Sequence, residues 1–326
     1  MMLQFRDLAK LRTKKIVFED VIAVRDTATL EHLKELSSIR KIIEESINET
    51  SFISEAIARE MSGGLTSRWE QESQRLERYL SLLQCFVSHV DQAGNSRQIV
   101  QWISKLKIRW SSTLSSPSLF NLAGPKFYQI DDVRFELGMA LFLYGTILWE
   151  RALELIPSDL KQSACVFREA SGVFHYLAHE VLQSLQLLIS TEKPPEAVSS
   201  VSSAMSLICL AQAQAVCIKK AEEMCNTSSS VLAKLHYGVV ELLGEAATAV
   251  CIGDCKSISP RFMEYISSCI ALYELRSQMY AAEVLKDDSQ IGTGIGVLRD
   301  ALTNIKQKMP GEESWKSIFN KEIKRA

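Results

Sequence analysis

SLICLAQAQAVCIKKAEE, residues 206–223, is apolar or small over its first thirteen positions except at Ser206, Gln212 and Gln214, and then turns charged at Lys219, Lys220, Glu222 and Glu223. A helix that is apolar on nearly every side has neighbours on nearly every side. Ala211, Ala213 and Ala215 let those neighbours come close, and the amides of Gln212 and Gln214 are expected to hydrogen-bond between helices. The charged end reaches solvent. This is a helix from the middle of a stack.

Working outward, the chain from Asp131 onward is a series of long helical patterns. The breaks lie at Ile156–Asp159, Thr191–Pro195, Asn226–Ser230, Gly253–Pro260 and Asp287–Gln290, and each supplies the Pro, Ser, Asn or Asp that ends one helix and caps the next. They recur at roughly 30 residues, one helix plus a turn, which is the trace of antiparallel helices stacked as hairpins. Before Asp131, Leu33, Leu36, Ile39, Ile43 and Ile47 predict a helix over about Leu30–Ile57, stopped by Ser62-Gly63-Gly64. Leu76, Tyr79, Leu80, Leu83 and Phe86 predict another over Glu70–Val90. The alternation in Lys105–Ser111 and the extended pattern from Lys126 to Asp131 predict a small β-hairpin, and the β-branched KKIVFEDVIAV (14–24) a further strand. The fold class expected is mostly α, a helical solenoid of tetratricopeptide-like antiparallel hairpins with a small β element.

Composition agrees. The chain has 326 residues, 47% hydrophobic and 23% charged, with 37 Lys and Arg against 39 Asp and Glu. That balance gives no strong field for nucleic acid or an anionic membrane, so partner choice rests on local surface. The eight cysteines lie mostly inside apolar helical pattern, as in a reducing cytosol. The start, MMLQFRDLAKLRTKK, lacks an uninterrupted apolar core, so it is read as part of the fold. The longest apolar run, Leu137–Trp149, is thirteen residues, short of the about 20 a membrane span needs. Any membrane contact is expected to be peripheral.

Chemistry-bearing patterns are sparse. His175 and His179 stand four apart, as for two metal ligands on one helix face, with no HExxH order and no third ligand in the sequence. They define an alternative reading as a metal-dependent enzyme. Cys251 and Cys255 share that spacing without a second pair to complete a zinc site. Gly292, Gly294 and Gly296 lack the preceding strand and spacing of a phosphate loop and read as a flexible helix start. Lys105, Lys107 and Arg109 beside Trp102 and Trp110 read as an exposed strand face. No catalytic residue, metal or cofactor is assigned, and neither nucleic acid nor a small-molecule substrate is expected.

Four segments in order, VRFELGMALFLYGTILWERA (133–152), ACVFREASGVFHYLAHEVL (164–182), SLICLAQAQAVCIKKAEE (206–223) and LAKLHYGVVELLGEAA (232–247), resemble the Bro-one domain family, with LAQAQ followed by LAKL the most specific part. The resemblance covers roughly residues 15–320, and the chain looks most like the plant members made of little more than this domain. It implies one domain over residues 1–326, boomerang-shaped, and lacking the last C-terminal segment of the family. It also implies a non-enzymatic adaptor for multivesicular body sorting, cytoplasmic and transiently on endosomal membranes. Its partner would be the amphipathic C-terminal helix of an ESCRT-III (charged multivesicular body) subunit, the alternative being a scaffold for another cytosolic complex. The family's binding patch maps onto Cys217, Val231 and Leu235. An aromatic anchor is expected where Cys217 stands, which implies weaker binding, a shift to Ile218, or another partner. Independently, Val231, Leu235, Val239 and Leu243 recur every four residues as a stripe, with Lys219, Lys220 and Lys234 nearby.

Overall fold

The structure is a computed structural model, and it describes residues 2–5, 8–24, 26–48, 67–94, 96–116, 125–186, 192–253 and 257–326. The chain divides into two compact units. One comprises residues 7–151 and 172–202; the other comprises residues 1–6, 152–171 and 203–326.

In the first unit, α1 (Thr27–Asn48) opens where the Asp26 carboxylate accepts from the Thr29 amide at 2.7 Å, and it buries Leu33, Leu36, Ile39 and Ile43 as their spacing predicts. The expected continuation to Ile57 and its Gly-Gly stop lie outside the described residues. Ser67 caps α2 (Arg68–Gln92), which buries Leu76, Tyr79, Leu80 and Leu83. Next comes a helix the alternating pattern hid. It is α3 (Arg97–Leu106), capped by Ser96 and ended by Lys107 in the left-handed region at φ 49°.

The hairpin forms as predicted, though it is shorter: β1 (Arg109–Ser111) pairs antiparallel with β2 (Phe127–Gln129), Trp110 opposite Tyr128. The strand predicted in residues 14–24 does not form. Only residues 12–14 reach the sheet edge, through a bridge between Thr13 and Trp110 and a bond from the Ser111 amide to Arg12 O at 2.8 Å. Ile16, Phe18 and Ile22 are buried from irregular chain, with the Phe18 amide satisfied by Ser37 Oγ at 2.9 Å.

Helix α4 (Val133–Leu155) carries the longest apolar run, and every residue from Phe135 to Trp149 is buried. Glu136 is buried with it. Its carboxylate accepts from Arg40 Nε at 2.6 Å, Tyr79 OH at 2.8 Å and Trp110 Nε1 at 2.7 Å, joining α1, α2, β1 and α4. Helix α5 (Leu160–Tyr176) passes through a π-turn (Leu177–Val181) into the short α6 (Leu182–Gln186).

In the second unit, which α7 (Ser199–Glu223) enters at Ser203, this helix carries the stretch SLICLAQAQAVCIKKAEE. A turn at Met224–Ser228 leads to α8 (Ser229–Ile252), whose first turn Ser228 caps. Pro260 then opens α9 (Pro260–Asp287), followed by α10 (Ile291–Gln307) and α11 (Glu313–Arg325). Helix α9 packs on both α8 and α10. The N-terminal arm lies in this unit: Phe5 sits edge-on to Phe262 at 5.4 Å, and the Trp315 indole donates to Gln4 O at 3.2 Å.

Candidate partner-binding site

Between Val201 and Ile218, α7 leaves only Ser203, Leu207, Leu210, Gln214 and Cys217 incompletely buried. Their spacing of three and four residues is that of one helix stripe. The remaining positions are enclosed, and both glutamines, buried Gln212 and half-buried Gln214, bond between helices. Gln212 Nε2 donates to Tyr265 OH on α9 at 3.3 Å, and Gln214 Nε2 to Leu235 O on α8 at 2.6 Å.

Helix α8 presents a matching stripe in Val231, Leu235, Gly238 and Leu242, all incompletely buried, while Leu232, His236, Val239 and Leu243 face the interior. The two stripes meet where Gln214 reaches Leu235, opposite Gly238. Together they leave a mostly apolar, incompletely buried strip along the α7–α8 seam, hereafter the groove. Of the four residues singled out from the sequence, the structure places Cys217 and Val231 in the open, Val231 at 46% exposure, with Leu235 half-buried between them. Ile218 is at 2% exposure and belongs to the core, so it offers no surface to take over from Cys217. Val239 and Leu243 leave the stripe for the same reason: a spacing of four drifts around a helix of 3.6 residues per turn, and they end on the buried side.

On the buried side of α8, toward α9, lies a group the sequence did not reveal. His236 is buried against Tyr280, stacked at 5.3 Å, and Tyr273 at 5.4 Å, with Nε2 3.5 Å from Glu222 Oε1. Tyr280 OH donates to the same carboxylate oxygen at 2.7 Å. His236 beside it, and then the Tyr280 hydroxyl, hold the Glu222 carboxyl down to about 2. Burial lowers the His236 pKa, so the imidazole is neutral near pH 7. The sequence signal was only the interruption of the aliphatic run LAKLHYGVV by a histidine at a core-facing position.

The other candidates do not assemble into a site among the described residues. His175 and His179 are exposed, their rings 4.1 Å apart and tilted by 31°, with His179 Nδ1 2.9 Å from His175 O. Among the described residues no group of three or more His, Cys, Asp or Glu side chains is placed to hold a metal ion. Cys251 is exposed, and Cys255 lies outside the described residues. The strand-face reading holds only for Arg109, exposed on β1 beside buried Trp110; Trp102 and Lys105 lie on helix α3, and Lys107 ends it. Among the described residues α7 and α8 are also long and apolar enough to cross a membrane by length and composition; α7 is mostly buried within the protein, and α8 is mostly not.

Residues 24–326 match the family model described as BRO1-like domain. The chain belongs to the BRO1-like domain family. Apoptosis-linked gene 2-interacting protein X 1 of Caenorhabditis elegans is similar to it at 25% identity over 288 residues, 86% of this chain and 31% of that protein. The chain thus spans about a third of the length of that curated relative. Solved BRO1-type structures share the fold. A Bro1 domain described in terms of endosomal targeting aligns with a TM-score of 0.64 over 100% of this chain and 85% of its own. ALIX in complex with the SIVmac239 PYKEVTEDL late domain aligns at 0.68 over 97% and 43%. The ALIX BRO1 CHMP4C complex aligns at 0.65 over 100% and 86%. Each of the three is 17% identical in sequence. The mostly helical fold with its two-stranded antiparallel sheet is that of the BRO1-like domain.

Proposed function

We propose that this BRO1-like chain is a non-enzymatic adaptor whose α7–α8 groove receives the amphipathic C-terminal helix of an ESCRT-III subunit in multivesicular body sorting. It acts from the cytoplasm with transient residence on endosomal membranes. The observation that carries the reading is the pair of facing stripes, Leu207, Leu210 and Cys217 on α7 against Val231, Leu235 and Leu242 on α8. An apolar trough between two helices is suited to a third helix laid along it with anchors at three- and four-residue spacing. Further support comes from the similar structures, one a Bro1 domain tied to endosomal targeting and one a complex with CHMP4C.

Cys217 sets the strength of that binding. A thiol offers far less apolar area than a phenyl ring, and the difference is worth about 2 kcal/mol, roughly thirty-fold in affinity. Exposed Lys220 and Lys234, one on each wall helix, favour an acidic flank on the partner. Fluorescence anisotropy with a labelled CHMP4C C-terminal helix tests the reading. Leu235→Asp should weaken binding at least tenfold and Cys217→Phe should tighten it, both with unchanged circular dichroism. Unaltered affinity in a folded Leu235→Asp protein rules the groove out.

A further inference from the structure

Gln214 is the one long polar side chain in the α7 stripe, midway between Leu210 and Cys217. Its amide orientation is fixed by its partner, because only the NH2 end can donate to Leu235 O, at 2.6 Å. That leaves Oε1 as an acceptor, and among the described residues nothing donates to it. Nor is the amide free to move aside, for Gly238 is the seat it occupies: a Cβ there would stand 2.5 Å from Gln214 Nε2 and 3.7 Å from Oε1. A glycine on one helix and a glutamine on the other thus place a half-buried acceptor in the middle of an otherwise apolar groove.

We infer that Gln214 selects the occupant of the groove, requiring a helix that carries a hydrogen-bond-donating side chain at the centre of its apolar seam. The inference rests on the helix-in-groove reading above. With the groove open, water satisfies Oε1. A helix lying over Gln214 expels that water, and a wholly aliphatic seam leaves the acceptor without a partner, which costs about tenfold in affinity. A central Asn or Ser on the occupant supplies the missing donor. The purely structural alternative, a strap that only ties α7 to α8, would affect every occupant alike.

The test uses the labelled CHMP4C C-terminal helix and two versions of it, with Asn or Leu at the central position of the apolar seam. The wild-type protein should bind the Asn version about tenfold more tightly than the Leu version. Gln214→Leu should reverse that order, and Gly238→Ala, which pushes the amide from its seat, should abolish the preference even if Gln214→Leu does not fold. Equal binding of the two versions by the wild type overturns the inference and leaves the groove standing, as does a preference that survives in folded Gln214→Leu or Gly238→Ala. Failure of all three peptides to bind overturns the helix-in-groove reading and this inference with it.

Discussion

At the scale of single residues, the strongest determinant in the first unit is Glu136. It accepts hydrogen bonds from Arg40, Tyr79 and Trp110 while fully buried, so removing it leaves a buried guanidinium unpaired. Glu136→Leu should cost about 3–5 kcal/mol, and Arg40→Met added to it should recover much of that loss because no buried charge is then left. Urea midpoints of the two variants check this. The network was not legible in the sequence, where Glu136 marks the edge of an apolar run and Arg40 lies among exposed charges. The two lie 96 positions apart in the sequence and meet only in the folded chain. Cys217 was singled out only through the family resemblance, since nothing in its apolar surroundings marked it as the exposed thiol it is. The burial of Ile218 was not legible either, because one step along a helix is 100° around it and here that step passes from solvent to core.

At the scale of elements, the enclosed helices were the most readable, and the glycines within them carry information that pattern alone withheld. Of the three in the start of α10, Gly294 lies against α9, where an added Cβ would stand 3.3 Å from Ala282 O, while Gly296 faces open space. Gly296→Ala should stabilise the protein by about 0.5–1 kcal/mol and Gly294→Ala should not, a contrast visible in thermal midpoints. Gly145 is tighter, its added Cβ falling 2.7 Å from the Phe174 ring, so Gly145→Ala should destabilise by about 1–3 kcal/mol. Spacing predicted a flexible helix start at Gly292–Gly296 but could not say which glycine meets a neighbour. That depends on the rotation of α10 against α9. Helix α3 was missed because its apolar face spans only Ile99, Trp102, Ile103 and Leu106, ahead of a stretch whose alternation suggests a strand.

At the scale of the molecule, the buried side of α8 makes stability depend on pH. His236 has its pKa lowered by burial, so the unfolded chain binds a proton more readily than the native one. Its contribution is complete above pH 6.5 and is lost as pH falls below that value. Glu222, held at about 2, contributes above 4.5 and loses that contribution as pH falls from 4.5 toward 2. The thermal midpoint should therefore decline between pH 7 and pH 5, and His236→Phe, which keeps the stack on Tyr273 and Tyr280, should flatten the decline. The helical stack and its small hairpin were readable in advance because periodicity and breaks are local. The groove was only half readable, since its walls are written in α7 and α8 but its floor, through Gln214 and Gly238, exists only once they pack. The central claim is that a helix lies in this groove, and Cys217 reports on it directly. Alkylation of the native protein with iodoacetamide, followed peptide by peptide in a mass spectrometer, should show Cys217 protected by a saturating CHMP4C C-terminal helix while the exposed Cys85 and Cys165 react as before. An unchanged rate at Cys217 under saturating helix would contradict the account.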